Sequence, residues 1–505
     1  MTLLLGIDAG TTSIKAGLFS PDGRCLAVGR QEYQLETPET DWAELDPEVY
    51  WRACVAAVHQ ALELSGAEPR QVRALAVSSQ GETTIPVGLD GRPLHPAIVW
   101  LDNRATRQAA RLAEHFGGQV YDMTGLPEIS PTWSACKILW LKDNRPQVFQ
   151  ETHKFLLVQD WLVYRLSGRC ATDGSISCTT MLYDILHDCW WKDMLEFVGV
   201  REDQLADILS PGAAAGTLTP QAAGELGLEA GALVVLGGMD QAVGAIGAGN
   251  IAPGIVSETT GAALALQISI DRPDIDPTRR VPINKHSIPG VFLSVPFCPT
   301  AGMSFKWFRD AFCQEEMAAA LSQGGDAYDR LTGLAEQAPP GADGLLMLPH
   351  LSGANSPVYN SEARGVFCGF SLGHQKGHFV RAILESVAFM LRRNLDLARQ
   401  AGIDPSEIRS SGGGARSQLW CQIKADVCAV PVISLASEEA ALLGDVILAG
   451  VACGEFINLE DGCRRMVSLR GHTLPGANSP AYQEIYQRYC DLDDTLDGFF
   501  RRSGA

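Results

Sequence analysis

The sequence predicts an α/β protein built from two related halves, and three features carry that expectation. An apolar strand from Leu3 to Ile7 ends in Asp8, enters the turn Ala9-Gly10-Thr11-Thr12-Ser13, and resumes alternation through Phe19. The same strand, hydroxyl-and-glycine turn and strand return at Gly254 to Leu266, about 250 residues later, with Thr259-Thr260-Gly261 at the turn. Towards the C-terminus, Ile408 to Ser411, Ser417 to Val427, Val432 to Ser434 and Glu439 to Ala449 alternate strand with helix. The boundary between the halves is expected near residues 248–256.

Taken in order, residues 3–30 read as a three-strand meander, with Ser20-Pro21-Asp22-Gly23 turning the chain into Cys25-Leu26-Ala27-Val28. Asp46-Pro47-Glu48 opens an amphipathic helix through Leu64, with a capping carboxylate and a Pro in its first turn. Val72 to Ser79 is then a buried strand, and Asp90-Gly91 turns the chain into a strand from Ala97 to Trp100. Residues 104–116, 136–143 and 155–166 are expected to be helical. In the second half, Gly290 to Val295 reads as a strand, Ala301 to Asp310 opens a helix, and residues 338–344 form a loop. Phe379, Ile383, Val387, Leu391 and Leu395 recur near helical spacing and predict a long helix from His378 to Ala401.

A chain of 505 residues exceeds one core and suggests about two to four domains. With 46% hydrophobic and 20% charged residues the composition fits an α/β enzyme rather than a disordered or fibrous protein. No apolar run is long enough to span a bilayer, and the N-terminus enters a strand without a basic region or cleavage site, so a cytoplasmic protein without a membrane partner is expected. The net charge of −19 argues against a nucleic-acid partner and requires any phosphate ligand to meet locally placed positive charge. The 14 Cys include no C-x-x-C pair and the ten His no H-E-x-x-H, so the Cys read as reduced small hydrophobes and no transition-metal site is expected.

The hairpin at Asp8 can offer backbone N–H groups and hydroxyls to an anion, while a strand-end carboxylate can hold a metal's water shell. An ordinary glycine turn would look the same in isolation; its recurrence at Thr259-Thr260-Gly261 favours two phosphate hairpins facing one nucleotide. Leu233 to Leu236 runs into Gly237-Gly238-Met239-Asp240-Gln241, placing a strand-end carboxylate among glycines. Asp240 reads either as a general base for attack on a phosphoryl group or as the cap of the following helix, and the two hairpins favour the base. Ser79-Gln80-Gly81-Glu82-Thr83-Thr84 offers amide, carboxylate and hydroxyls in one loop, chemistry that suits a polyol, although a solvated surface loop would look similar. Trp100 is placed to cover a carbon face; Trp100, Asp102 and Arg104 taken singly are more often packing and ion-pair residues. Gly412-Gly413-Gly414-Ala415 lets backbone approach a flat base or a phosphate, but lacks the spacing of a P-loop or a dinucleotide fold.

Taken together, these residues resemble the FGGY carbohydrate kinases, a family with two actin-like (ribonuclease H-like) ATPase domains flanking a deep cleft. The resemblance is carried by Asp8 to Thr12, Val99 to Arg104, Lys137-Ile138-Leu139-Trp140, Asp160-Trp161-Leu162, Ala171-Thr172-Asp173 and Gly238 to Gln241. It continues through Thr259 to Gly261, Ala363 to Phe367, Glu385, Gly412 to Ser417 and Ala441 to Gly444. It implies ATP-dependent phosphorylation of a sugar or polyol hydroxyl, with Asp240 as base and Asp8 as a magnesium-associated carboxylate. Thr11, Thr12, Thr260 and Gly261 match the phosphate turns, with Gly10 and Lys15 beside the first. Gly302, Gly413 and Ala415 match positions around ADP, with Gly414 between the last two. The implied division is 1–250 for sugar and the first hairpin, and 251–505 for the second hairpin and adenine. A homodimer is a family-level expectation.

The implied sugar contacts are Gln80, Gly81, Glu82, Trp100, Asp102, Thr132, Asp240 and Gln241. Xylulose kinases usually show Gly-Gln-Met-His-Gly where this chain has Ser79-Gln80-Gly81-Glu82-Thr83, a loop closer to the Gln-Arg-Glu-Thr of glycerol kinases with Gly81 in place of Arg. The glycerol-contacting Tyr aligns with Thr132 and the Phe with Ala263, so all three changes are expected to enlarge the pocket. Pro349 to Pro357 looks more like xylulose kinases. The expected substrate is a pentulose, D-xylulose first, with another pentulose, glycerol or a tetritol behind it. An actin-like nucleotide-dependent assembly protein is the alternative from another class; it has no need of Gln80-Gly81-Glu82 or Asp240-Gln241.

Overall fold

The computed structural model describes residues 2–273, 276 and 278–503. Two twisted sheets form its framework. The first takes strands β1 (Leu3–Ala9), β2 (Ser13–Phe19) and β3 (Cys25–Glu32), helix α1 (Pro47–Ser65), β4 (Val72–Ser79), helix α2 (Val158–Ser167), β5 (Ala214–Thr217), β6 (Leu233–Met239) and helix α3 (Asp240–Gly247). Its spatial order is β5-β6-β4-β1-β2-β3. β1 is antiparallel to β2 and parallel to β4, which is parallel to β6.

The second sheet takes β7 (Ile255–Thr260), β8 (Leu264–Ile270), β9 (Ile283–Lys285), β10 (Phe292–Ser294), β11 (Phe297–Cys298), helices α4 (Gly302–Phe312), α5 (Ala327–Glu336) and α6 (Lys376–Gln400), β12 (Glu407–Ser411), α7 (Gln418–Cys428), β13 (Val432–Leu435), α8 (Ala440–Ala452) and β14 (Leu469–Thr473). Its order is β9-β10-β8-β7-β12-β13-β14, with β11 on β8. β7 is antiparallel to β8 and parallel to β12, which is parallel to β13, so the second sheet repeats the first around its central hairpin. The duplication read from two turns extends to whole sheets.

Strand periodicity divides β1 between two cores. Leu3, Leu5, Ile7 and Ala9 face a core shared with Tyr50, Cys54 and Val58 of α1, which is capped by the Asp46 side chain on Glu48 N and closed by left-handed Gly66. Leu4 faces the other core, with Val235, Val243, Leu442, Val446 and Ile447. That second face is covered by α8, which comes from the C-terminal half of the sequence. The strands therefore separate near residue 250 while the cores interlock.

α3 and α8 meet backbone to backbone. A Cβ on Gly247 would lie 1.9 Å from the Ala440 carbonyl oxygen, and one on Gly444 would lie 2.0 Å from that of Val243. Phe155 and Leu156, expected in a helix, instead form the short strand Lys154–Leu156 against Ile85–Val87. The helix starts after them, where Asp160 accepts a hydrogen bond from Leu157 N at 3.0 Å. The strand expected at Ala97 to Trp100 is limited to Ala97–Ile98 and pairs with Glu44–Leu45 outside the main sheet. All 14 Cys are free, and among the described residues no helix is long and apolar enough to cross a membrane.

Gly444→Val would drive a branched side chain into the α3 backbone. It is expected to lower the unfolding free energy by about 1–3 kcal/mol or more and the thermal midpoint with it. An unchanged midpoint would show that the two helices can part freely.

Candidate active site

Asp8 lies at the end of β1, opposite Lys15 of β2 and Ser78 of β4. Its Oδ1 is buried without a hydrogen-bond partner. Burial pushes its carboxyl up to about 6, against the pull of Lys15 and with the help of Glu439. Lys15 Nζ lies 2.5 Å from Glu439 Oε2, at the start of α8, so the second half supplies a carboxylate to the first hairpin. Thr11 Oγ1 accepts from Trp100 Nε1 at 2.8 Å, the Gly10 carbonyl accepts from the Tyr33 hydroxyl, and Thr12 is exposed.

Asp240 is the first residue of α3, but it does not cap the helix. The cap position is Met239, and Asp240 Oδ1 accepts only from the adjacent Gln241 N, at 2.6 Å. Burial, followed by the charge of Asp8, pushes its carboxyl up to about 7. Glu82 is likewise pushed up to about 7, by burial first, with Lys137 opposing and Asp240 adding to the rise. The loop at residues 80–84, the first hairpin and the α3 N-terminus thus bring three carboxylates into one electrostatic group. Glu82 has a left-handed backbone, φ +53°. Its N–H donates to Thr179 Oγ1 at 3.2 Å, and its carbonyl accepts from Ser134 Oγ at 3.0 Å and Lys137 Nζ at 3.1 Å. Lys137 is fully buried, and desolvation brings its ammonium down to about 7 despite Glu82 and Asp102.

Several expected sugar contacts behave differently. Asp102 is an ion-pair residue: Oδ2 accepts from Ala43 N at 2.6 Å and Arg104 Nη2 at 2.7 Å, and Oδ1 from Arg104 N at 2.9 Å and Nε at 2.8 Å. With both oxygens spent and the side chain fully buried, it leaves the sugar-contacting set. Gln80 turns inward, its Nε2 donating to the Tyr50 hydroxyl at 3.0 Å while Oε1 stays without a partner. Gly81 opens no room, because a Cβ there would meet Thr179 Oγ1 at 2.6 Å. Thr132 bonds Ser130 at 3.0 Å, Trp100 is 37% exposed beside Thr11, and Gln241 is exposed next to Asp240.

The second hairpin borders a cavity of about 360 Å³, within the range of small-molecule sites. Thr260, Gly261, Gly302, Gly413 and Gly414 converge on it, whereas Ala415 is buried and does not line it. The Thr260 hydroxyl is engaged beneath the turn, donating to Glu258 Oε2 at 2.6 Å and accepting from Lys424 Nζ at 2.9 Å. Glu258 and Lys424 are wholly buried and 2.5 Å apart. The exposed hydroxyl of the turn is Thr259, 2.8 Å from Ser411 Oγ. Sequence reasoning missed Phe305, Lys306, Tyr328 and Trp420 in the cavity wall. Phe305 and Lys306 share a helix with Gly302 and were within reach of a facing argument; Tyr328 stands in no motif.

Residues 3–247 match the N-terminal domain of the FGGY family of carbohydrate kinases, and residues 270–453 match its C-terminal domain. An autoinducer-2 kinase of Escherichia coli (strain K12) is 32% identical, over 96% of this chain and 92% of its own. The chain belongs to the FGGY family of carbohydrate kinases. A xylulose kinase of Bacillus subtilis (strain 168) is 29% identical over 99% of both chains. The crystal structure of a xylulose kinase from Rhodospirillum rubrum superposes with a TM-score of 0.89 at 26% identity, covering 99% of this chain and 100% of that one. This FGGY kinase is accordingly an ATP-dependent sugar kinase with the family's two-domain fold.

A magnesium ion fits the donor set in one way. Among the described residues no group of three His, Cys, Asp or Glu could hold a metal directly. The partnerless Oδ1 of Asp8 instead suits a contact through water to an ion whose own ligands come from water and phosphate.

Because Asp8 and Asp240 stand above the unfolded carboxyl value, the folded protein binds more protons than the unfolded chain from about pH 4 to about pH 7. The stability carried by their neutral forms is lost as pH rises through about 6 and about 7. Asp240→Asn removes one of these titrations, so its melting temperature relative to the wild type should climb between about pH 4 and about pH 7 and level off above. A difference that does not vary with pH would overturn the raised value at Asp240.

Proposed function

We propose that this kinase transfers the γ-phosphoryl group of ATP to a hydroxyl of a pentulose, D-xylulose first, with Asp240 as the general base. The observation that supports this most is the gathering of carboxylates from three elements: Asp8 adds to the rise at Asp240, and Asp240 adds to the rise at Glu82, both of which stand near neutrality. An isolated buried carboxylate is more often structural; several raised carboxylates gathered beside a phosphate hairpin have the makings of an acceptor site.

In this reading, 1–250 contributes sugar contacts and the first hairpin, and 251–505 contributes the second hairpin and the adenine cavity. Glu82, Thr132, Gln241 and the exposed edge of Trp100 hold the sugar, and Gln80 shapes its loop. The acceptor hydroxyl loses its proton to the free Oδ2 of Asp240, since Oδ1 is held by Gln241 N. Its oxygen forms a bond to the γ-phosphorus as the bond to the ADP oxygen breaks in line. A carboxyl near 7 serves this role well, being ionised in a large fraction at neutral pH yet basic enough to take a proton. Lys15, Thr11, Thr12, Gly10 and Gly261 face the phosphates. Magnesium, held through water by Asp8, would supply charge neutralisation on the phosphates.

The choice of sugar rests on the xylulose kinase likeness over nearly the whole chain. The space expected at Gly81 is filled by Thr179, so the size argument now rests on Thr132 and Ala263. The autoinducer-2 kinase relative makes autoinducer-2 the second substrate to test.

Asp240→Asn is expected to lower kcat by about 10²- to 10⁴-fold with ATP affinity within twofold of wild type. For the wild type, kcat/KM for sugar should fall as pH drops below about 7, because the base must be ionised. Near-native turnover by Asp240→Asn would remove the base assignment. ADP release measured across pentuloses, tetritols, glycerol and autoinducer-2 decides the substrate, and a strong preference for glycerol would overturn the pentulose.

A further inference from the structure

The strand that delivers Asp240 does not end as a regular ladder. Its register against β4 shifts between Leu236 and Gly238, a bulge of the kind that re-aims a side chain at a strand end. Gly238 has φ +116°, and a Cβ there would lie 2.1 Å from Ser175 Oγ and 2.5 Å from Ser287 Oγ. The two peptide N–H groups before Asp240 are both taken by side chains. Gly238 N donates to Gln159 Oε1 at 2.5 Å, and Met239 N donates to Ser175 Oγ at 3.2 Å.

Asp173 fixes the direction of both acceptors. Gln159 Nε2 donates to Asp173 Oδ2 at 3.1 Å, which turns the amide oxygen towards Gly238. Ser175 Oγ donates its one proton to Asp173 Oδ1 at 2.5 Å, leaving its lone pairs for Met239 N and for the hydroxyl of Ser287, 3.0 Å away. Gln159 also reaches the sugar loop: its backbone N donates to Ser79 Oγ at 3.0 Å, and that hydroxyl donates to the Gln80 carbonyl at 2.9 Å. Gln159, Asp173, Ser175, Ser287 and Ser79 are all buried.

We propose that Gln159, oriented by Asp173 and assisted by Ser175, is a positioning residue that sets the Asp240 carboxylate against the sugar loop through the Gly238 and Met239 peptides. This rests on the reading of Asp240 as the base. A buried polar network serves a fold equally well when it fixes nothing but a core. Here, however, it ends on the two peptides before the base and on the carbonyl of Gln80, beside Glu82. Ser287, from the second half, ties into it, so the position of the base registers contact between the two halves.

The test compares Gln159→Met, Gln159→Glu and Ser175→Ala with Asp240→Asn in the full-length enzyme. kcat, the two KM values and the pH profile of kcat are measured for each. Gln159→Met keeps the length of the side chain and removes both amide bonds. It is expected to lower kcat about 10- to 100-fold and move the pH midpoint of kcat, with the ATP KM within twofold, because a base misplaced by about 1 Å costs that much. Gln159→Glu keeps an oxygen for Gly238 N but can donate to Asp173 only when protonated, so it should recover part of the loss at the acid end of the profile and none at the alkaline end. Ser175→Ala, which removes one acceptor and little volume, should show the same pattern more weakly. A Gln159→Met enzyme with kcat within twofold of wild type, beside an inactive Asp240→Asn, overturns the positioning role and leaves the base in place. So does a fall in kcat matched by a weaker ATP KM with an unmoved pH midpoint, the signature of general unfolding. Full activity in Asp240→Asn is the separate failure of the base itself.

Discussion

The close crossing of α3 and α8 is the constraint on which the site depends. Gly247 and Gly444 let each helix backbone touch the other, and no side chain fits between them. α3 begins at Asp240, and α8 begins one residue after Glu439, the partner of Lys15. α8 also carries Asp445, whose Oδ2 accepts from Ser78 Oγ at 2.8 Å while its carboxyl is pushed well above the ordinary range by burial and by Asp8. One helix contact therefore fixes the separation of the α3 carboxylate from the carboxylates around the first hairpin. It also seats the apolar face of α8 on the N-terminal sheet, which would otherwise expose Leu4, Ala74 and Val235 to water.

Assembling carboxylates at such a joint has an electrostatic cost. Asp8, Glu82, Asp240 and Asp445 are all raised, and in each case burial is the largest cause and another carboxylate contributes. Cations close to the group are few: Lys15 is shared with Glu439, and Lys137 is itself brought down to about 7. A chain of net charge −19 gains nothing from its global field when it meets a nucleotide. Partial protonation near neutrality relieves the repulsion, and a hydrated cation near the partnerless oxygen of Asp8 would relieve more of it.

The sequence disclosed what local pattern can encode. The hairpin at Asp8 and its echo at Thr259-Thr260-Gly261 were visible as strand, turn and strand, and both sit at matching places in two sheets of one topology. Partners distant in sequence were beyond it. Thr179 fills the space at Gly81 from 98 positions away, and Lys15 meets Glu439 across 424. Asp102 shows the other limit: a D-x-R spacing fits a ligand contact as well as an ion pair, and only the additional Ala43 N and Glu44 contacts decide for the pair. The short apolar run at Phe155 has no period of its own and fits helix or strand alike; pairing with Ile85–Val87 makes it a strand.

Rigidity is unevenly distributed around the cleft. Glu82 is held in a left-handed conformation that costs about 1–3 kcal/mol, offset by Thr179, Ser134 and Lys137 on its own N–H and carbonyl. In the second sheet, the buried Glu258–Lys424 pair pins the Thr260 hydroxyl under the second turn. Breaking such a pair by removing one partner costs about 3–5 kcal/mol, so neither side can yield to a ligand cheaply. The Lys15–Glu439 pair differs, with its side chains 27% and 34% exposed. Partly solvated pairs of this kind contribute at most about 1 kcal/mol. The Lys15–Glu439 contact between the halves can therefore open at small cost, whereas the loop at Glu82 and the second hairpin are held by buried partners that cannot.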